Sequence, residues 1–310
     1  MGLLEEAAGA KPFLKWAGGK RQLISAIQAV LPAALRSQRD LTYVEPFIGG
    51  GAVLFWLLQA YPNIRRAIIN DINPDLTTAY RVVQQRPQEL ISALTAVQEA
   101  YHRLPSEEAR RQYFEQLRAE FNARPLPELR NTVVLMFLNR TCFNGLYRVN
   151  SKGGFNVPFG RYNQPAICHA PTILADSKLL ARVSIQQGDF TDVLEHAPAN
   201  SFFYLDPPYQ PLSKTAAFNA YATEAFDAAS QERLAGFCRT LDAQGCPWLL
   251  SSADPRNTDA TDNSFDDLYA GFTIQRVPAK RAINSKAAGR GNISELLIHN
   301  YRTEAVTELA

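Results

Sequence analysis

SFFYLDPPYQ, residues 201–210, constrains the fold most, because an apolar run ends there on an acid, two prolines and a tyrosine. Residues 202–205 are typical of a parallel strand covered on both faces. Strands of open α/β sheets present functional groups at their carboxyl ends, which is where Asp206 lies. Pro207 and Pro208 fix their φ angles and lack an N–H, so we expect a rigid loop whose carbonyls can accept hydrogen bonds. An α/β fold is therefore predicted, with a site for a flat hydrogen-bond donor.

Charge is unevenly distributed along the chain, although the formal net charge is only +2. No Asp or Glu occurs in residues 129–175 or 268–294, and both segments contain several Lys and Arg residues. Such segments can form faces that bind phosphate, and a solvated basic surface is the alternative.

Cysteine usage and hydropathy indicate the class of protein. The four cysteines show neither a CxxC pair nor the Cys/His spacing typical of zinc sites. We therefore expect a protein of the reducing cytoplasm that binds no metal. No apolar window reaches the length of a transmembrane helix, so we expect no membrane partner.

The middle of the chain differs from its two ends. Residues 74–136 repeat apolar positions at helical spacing, and prolines divide them into separate helices. Residues 139–165 are aromatic, basic and rich in Asn and Gly, which favours a loop or small hairpin. We predict one α/β domain, residues 1–75 and 170–310, interrupted by an inserted helical module, residues 76–169, that carries this basic loop.

A glycine-rich turn in TYVEPFIGGGAVLF, residues 42–55, follows one predicted strand and precedes a helix. The glycines of Gly49–Gly51 would let a ligand approach the backbone. Asp71 ends the next apolar run, where it could accept the hydroxyls of a ribose, although capping of the following helix is the alternative. The turn is not GxGxxG, which disfavours NAD and favours S-adenosylmethionine. Lys20, after the paired glycines in KWAGGK, could meet the carboxylate of that cofactor, or the glycines could form only a structural turn.

Six stretches in order carry a resemblance to a known family: FLKWAGGK, VEPFIGGGAV, NDIN, FNGLYRVNSKGGFNVPFG, DPPY and RAINSKAAGRGNISELL. Together they resemble the Dam-type DNA adenine-N6 methyltransferases of bacteria (D12 class, group alpha), from about residue 11 to residue 301. The resemblance implies a Rossmann-like, S-adenosylmethionine-dependent methyltransferase sheet with an inserted helical DNA-recognition domain. It also implies double-stranded DNA as the partner, and we expect a monomer.

The resemblance implies a set of cofactor-binding residues. The methionine end, the ribose and the adenine of S-adenosylmethionine each match different positions. In chain order, the matching residues are Trp16, Lys20, Glu45, the turn Phe47–Gly51, Asp71, Asp189, Phe190 and Asp206. A buried core aromatic is the alternative for Phe190.

DPPY is expected to hold the target base. The amino nitrogen of adenine is a poor nucleophile, and inside a duplex it is also paired, so the base must be flipped out. The resemblance implies that Asp206 and the Pro207 carbonyl accept its two N–H bonds while Tyr209, after Pro208, stacks on the ring. An unprotonated carboxylate can orient the amino group and stabilise positive charge on it.

Base recognition is expected in residues 139–162. Arg148 matches a position that reads guanine through N7 and O6. Leu146 and Pro158 match apolar base contacts, and Phe143 matches an aromatic wedge beside Asn144. The stretches NGLxRxN and FNVPFG are typical of family members that methylate adenine in GATC, which we therefore predict.

Further basic residues of the loop are expected to contact phosphate, which positions the protein without specifying sequence. They are Arg140, Lys152 and Arg161. Two departures from the family occur: Phe143 stands where tyrosine is more usual, and LLSSAD at 249–254 replaces a stretch with Asn and His.

Three alternatives remain open on the sequence. The same chemistry could act on another palindromic site in a restriction-modification system, with a cognate endonuclease acting separately. The substrate could instead be RNA or protein. The chain could also be a DNA-binding regulator that has lost catalysis.

Overall fold

Five neighbouring parallel strands make up most of the sheet and place their carboxyl ends along one edge. The computed structural model describes residues 9–38, 40–208, 226–280 and 292–303. Within them the sheet order is β3-β2-β1-β4-β5-β7-β6, with β7 and β6 antiparallel. The strands are β1 Thr42–Glu45, β2 Arg66–Asp71, β3 Val183–Gln187, β4 Ser201–Leu205, β5 Trp248–Ala253, β6 Thr273–Lys280 and β7 Asn292–His299. This sheet confirms the α/β fold class.

Helices surround the sheet and fill the long connection between β2 and β3. None of the helices in the described ranges is long and apolar enough to cross a membrane. The helices are α1 Ile24–Val30, α2 Ala34–Ser37, α3 Ala52–Ala60, α4 Pro74–Gln85, α5 Pro87–His102, α6 Glu107–Asn122, α7 Glu128–Thr141, α8 Ala170–Leu180, α9 Ala228–Ala243 and α10 Ser264–Leu268.

Strand β4 is buried along its whole length, as the apolar run predicted. It lies between β1 and β5, pairing Phe203 with Val44 on one side and with Trp248 on the other. Both faces of a parallel strand in this position are covered by other elements, which is why five apolar or small residues are tolerated in a row. The strand ends at Leu205, so Asp206 is delivered to the carboxyl edge.

The predicted helical region consists of four helices, α4 to α7. Helix α7 is buried nearly all round and continues to Thr141, so the loop begins three residues later than residue 139. One hydrophobic cluster runs from the sheet, with Tyr43, into these helices, with Leu94 and Phe137. The division of the chain into two domains stays a prediction.

A small hairpin follows α7, and we refer to residues 142–159, where base recognition is predicted, as the recognition hairpin. Antiparallel bridges pair Cys142 with Phe159 and Val149 with Phe155. The backbone N–H of Phe143 donates to the Pro158 carbonyl at 2.8 Å, and that of Asn156 donates to the Arg148 carbonyl at 3.1 Å. The loop or hairpin predicted for this basic region is therefore a hairpin.

Gly51 is required by the turn that joins β1 to α3. Its φ of 71° lies in the left-handed region, and a Cβ atom would collide with the hydroxyl of Tyr80. We expect Gly51→Ala to lower the free energy of unfolding by about 1–3 kcal/mol. Gly236, exposed within α9 with open space around it, is the matched control. Gly236→Ala should raise stability by about 0.5–1 kcal/mol in the same denaturant titration; equal effects would contradict the assignment.

Candidate active site

A cavity of about 1610 Å³ opens at the carboxyl edge of the parallel strands. The glycine turn after β1, the end of β2, the loop after β4 and the segment before α1 all contribute to its wall. Every described residue that the sequence predicted for catalysis or for the cofactor lines it. They are Trp16, Lys20, Glu45, Phe47, Gly49, Gly51, Asp71, Asp189, Phe190, Asp206, Pro207 and Pro208. Tyr209 lies outside the described residues.

Asp206 is paired with Lys20 at the floor of this cavity. Their Oδ1 and Nζ atoms are 2.8 Å apart, and the Lys20 side chain is only 5% exposed. Ser251 donates a second hydrogen bond to the same Oδ1 at 3.2 Å, and its own Oγ is 2.8 Å from the Tyr204 hydroxyl. Burial raises the pKa of Asp206, and Lys20 and Ser251 oppose that rise because both stabilise the ionised form.

Glu45 ends β1 and is almost fully buried. The Tyr43 hydroxyl donates to its Oε2 at 2.7 Å. Burial raises the pKa of Glu45 well above its usual value; the hydrogen bond from Tyr43 opposes this, and the negative charge of Asp206 adds to it. A positively charged ligand next to Glu45 would therefore be favoured.

Asp71 ends β2 and holds the glycine turn in place. Its Oδ2 accepts from the Gly49 N–H at 3.1 Å, and its Oδ1 accepts from the Asn73 N–H at 3.0 Å. Asn73 caps α4, because its side chain accepts from the N–H groups of Asp75 and Leu76. The alternative in which Asp71 serves as that cap is therefore wrong. Burial raises the pKa of Asp71, while the two backbone donors lower it.

Aromatic rings form one wall of the cavity. The rings of Phe47 and Phe190 lie 5.2 Å apart, and Phe226 contacts both. Phe190 is 6% exposed and belongs to a core cluster, so it is a core aromatic that also faces the cavity. Arg233 lies over the Phe190 ring at 5.1 Å and pairs with Asp189 at 2.9 Å. This wall can hold a flat apolar ring with polar groups at its edge.

The recognition hairpin borders the same cavity through Leu146 and Arg148. Arg148 donates from Nε to Asn156 Oδ1 at 2.7 Å and from Nη2 to the Asn156 carbonyl at 3.2 Å. These bonds use two of the five N–H groups of a guanidinium. Within the described ranges Nη1 makes no hydrogen bond, so it is available for a ligand.

The other DNA-binding candidates occupy two different environments. Arg140 extends from α7 into the cavity wall, where it donates to the Phe13 carbonyl at 2.8 Å and burial lowers its pKa. The remaining candidates lie on the exposed side of the hairpin or just after it. They are Phe143, which is 54% exposed, Asn144, Lys152, Pro158 and Arg161. All these DNA contacts stay predictions.

The sequence analysis missed four residues that line the cavity, lie in the hairpin or contact Asp206. Tyr147 and Asn156 lie inside the quoted motifs, but the motifs alone give neither residue a role. Ser251 lies in the stretch noted as a departure from the family, which was the only signal for it. Arg233 lies on α9 with no motif around it, so only the packing of α9 against Phe190 reveals it.

The sequence matches the model of the D12 class N6 adenine-specific DNA methyltransferases over residues 16–283. This chain belongs to that family. The chain is thus an adenine-specific DNA methyltransferase, and the alternatives of an RNA or protein substrate are wrong.

Relatives of this D12 methyltransferase cover nearly the whole chain. The Type II methyltransferase M.MjaIII of Methanocaldococcus jannaschii is 46% identical over 294 residues, which is 94% of this chain and 99% of that protein. The Type II methyltransferase M1.LlaDCHI of Lactococcus lactis subsp. cremoris is 36% identical over 94% of this chain and 95% of that protein. A DNA adenine methylase of Vibrio cholerae is 35% identical over 93% of this chain and 95% of that protein.

Removal of the Lys20 charge should alter the pH dependence of this D12 methyltransferase. In Lys20→Met the pKa of Asp206 should rise, because burial would act without the opposing ammonium. Since the ionised carboxylate is the expected acceptor, the acid limb of the pH–rate profile should move to higher pH. The measurement is the methyl-transfer rate at saturating cofactor from pH 5 to 9, with Lys20→Arg as the control that keeps the charge. An unshifted acid limb in Lys20→Met would contradict this.

Proposed function

We propose that the enzyme transfers a methyl group from S-adenosylmethionine to N6 of an adenine that is flipped out of duplex DNA, within the sequence GATC. One observation supports this most directly. A single cavity is lined by the predicted cofactor residues, by Asp206–Pro208, and by Leu146 and Arg148 of the recognition hairpin.

The charges around the cavity suit the proposed cofactor. Glu45, Asp71 and Asp206 gather negative charge in a buried place, and burial raises the pKa of each. A ligand with a sulfonium and an ammonium group would offset that cost. Asp71 ends β2 next to the glycine turn, a position suited to ribose hydroxyls, and Phe47 and Phe190 suit an adenine ring. S-adenosylmethionine, when bound, supplies an electrophilic methyl group.

Asp206 and Pro207 would bind the amino group of the target adenine. The carboxylate accepts one N–H and the Pro207 carbonyl accepts the other, which holds the nitrogen lone pair toward the methyl donor. Lys20 and Ser251 hold Asp206 in one orientation through hydrogen bonds to the same oxygen, Oδ1. Oδ2 can then accept from the base. An ionised Asp206 also stabilises the positive charge that develops on N6 during transfer.

Arg148 would read a guanine of the site from the major groove. Asn156 binds Nε and Nη2 of its guanidinium, which fixes the plane of that group before DNA arrives. A guanidinium held in this way loses less conformational entropy on binding. The exposed ring of Phe143 would fill the space that the flipped adenine leaves.

The proposal is tested by transfer of labelled methyl from S-adenosylmethionine to two duplexes that are identical except for one guanine of a single GATC. Label on the GATC duplex alone supports the chemistry and the site together. Equal label on both keeps the chemistry and rejects GATC in favour of another site, as in the alternative of a restriction-modification system. Absence of label on both, with the cofactor bound, rejects the proposal.

Asp206→Ala should abolish methyl transfer to the GATC duplex while leaving cofactor affinity largely intact. The variant loses the acceptor for one N–H of the amino group and the charge that stabilises the transition state. Single-turnover kinetics and equilibrium binding of the cofactor give the two readouts. Asp267→Asn, at an exposed carboxylate on α10, is the control and should keep full activity. Near-normal turnover by Asp206→Ala would refute the mechanism.

Arg148→Ala should lose about 1–3 kcal/mol of discrimination at one guanine of the site. Relative kcat/KM values across duplexes with single base-pair changes measure this loss. Arg161→Ala is the comparison, since a phosphate contact should weaken binding equally on every sequence. Unchanged relative rates for Arg148→Ala would exclude it as the guanine-reading residue.

A further inference from the structure

Tyr147 is a residue through which the recognition hairpin contacts the proposed cofactor side of the cavity. It lies between Leu146 and Arg148, two of the hairpin residues expected to contact bases. Its ring and its hydroxyl contact two different parts of the cavity wall, and neither contact belongs to the chemistry described above.

The ring of Tyr147 stacks on Trp16. The centroids of the two rings lie 4.9 Å apart, with 24° between the ring planes. The ring centroid of Phe155 lies 6.1 Å from that of Tyr147. Trp16 is in turn pressed against the glycine turn, since a Cβ atom on Gly49 or Gly50 would lie 3.1 Å from atoms of Trp16. The stack thus extends from the hairpin to the turn after β1.

The hydroxyl of Tyr147 donates to Asp75 Oδ2 at 2.9 Å. Asp75 is 5% exposed and also accepts from Arg124 Nη2 at 2.7 Å and from Asn131 Nδ2 at 3.1 Å. Burial raises the pKa of Tyr147, so the phenol keeps its proton and remains a donor at neutral pH. A hydrogen bond to a carboxylate is stronger than one between neutral groups, so this contact holds the ring in place.

Asp75 is joined to Asp71, the residue proposed to bind the ribose, by a short hydrogen-bonded turn. The side chain of Asn73 accepts from the Asp75 N–H at 3.0 Å, and the Asn73 N–H donates to Asp71 at 3.0 Å. Tyr147 therefore contacts Trp16 directly and is linked to Asp71 through Asp75 and Asn73.

We propose that Tyr147 is a positioning residue that couples cofactor binding to base recognition. The inference rests on the proposed function, since it takes the cavity as the cofactor site and the hairpin as the DNA reader. A cofactor that orders Trp16 and the turn at Asp71 also fixes Tyr147, and with it the adjacent Arg148. Coupling free energies are reciprocal, so a cognate duplex must tighten cofactor binding by the same factor.

Tyr147→Phe isolates the hydroxyl contact. The variant keeps the ring stack on Trp16, and Asp75 retains Arg124 and Asn131, so the fold should persist. Tyr113→Phe is the matched control. Tyr113 lies on α6, where its ring packs against those of Tyr101 and Phe137, and it does not line the cavity.

The experiment measures calorimetric dissociation constants for sinefungin, an unreactive cofactor analogue, with and without a GATC duplex. The ratio of the two constants is the coupling factor. It should fall by roughly 3- to 10-fold in Tyr147→Phe and stay unchanged in Tyr113→Phe. Discrimination between the GATC duplex and its single-guanine variant should fall in parallel, which a purely structural role would not produce.

Two results would overturn the inference. One is a coupling factor in Tyr147→Phe equal to that of the unmodified enzyme; the other is an unmodified enzyme in which duplex DNA leaves sinefungin affinity unchanged. Methyl transfer by the unmodified enzyme separates these results from a failure of the proposed function. If no methyl group reaches duplex DNA, the proposed function fails and the coupling falls with it. If transfer proceeds and either result is found, the coupling alone is rejected.

Discussion

The candidate active site depends on three carboxylates held at the ends of neighbouring parallel strands. Glu45 ends β1, Asp71 ends β2 and Asp206 follows β4, and these strands are adjacent in the order β2-β1-β4. Burial raises the pKa of all three, so the arrangement is costly to the folded protein. Stability alone gives no reason to concentrate acids in this way; a cationic ligand with hydroxyl groups does.

Each carboxylate has its own partner, and the partners explain much of the nearby structure. Lys20 reaches Asp206 from the segment before α1, Tyr43 donates to Glu45, and backbone N–H groups of the glycine turn and of the α4 cap bind Asp71. Removing any one partner would leave a buried charge less compensated. The glycine turn and the first helix are therefore tied to the same edge of the sheet as the acids.

The inserted helices place the recognition hairpin against this edge. Helix α7 carries Asn139, whose side chain bonds both the backbone of Lys15 and the Gly145 carbonyl. The hairpin and the segment with Trp16 are thus joined at two points, through Asn139 and through Tyr147. The hairpin that borders the cavity and the segment with Trp16 therefore share one wall of it.

Local sequence patterns determined strands β1, β2 and β4, the acids at their ends, the glycine turn and the helical character of residues 74–136, because each depends on periodicity, burial or the backbone preferences of a few adjacent residues. The resemblance determined the family. Only the tertiary structure decided that Lys20 pairs with Asp206, that Arg140 binds the Phe13 carbonyl inside the wall, and that Tyr147 lies between Trp16 and Asp75. These contacts join residues far apart in the chain. Their partners are set by how sheet and helices pack, which no local pattern encodes.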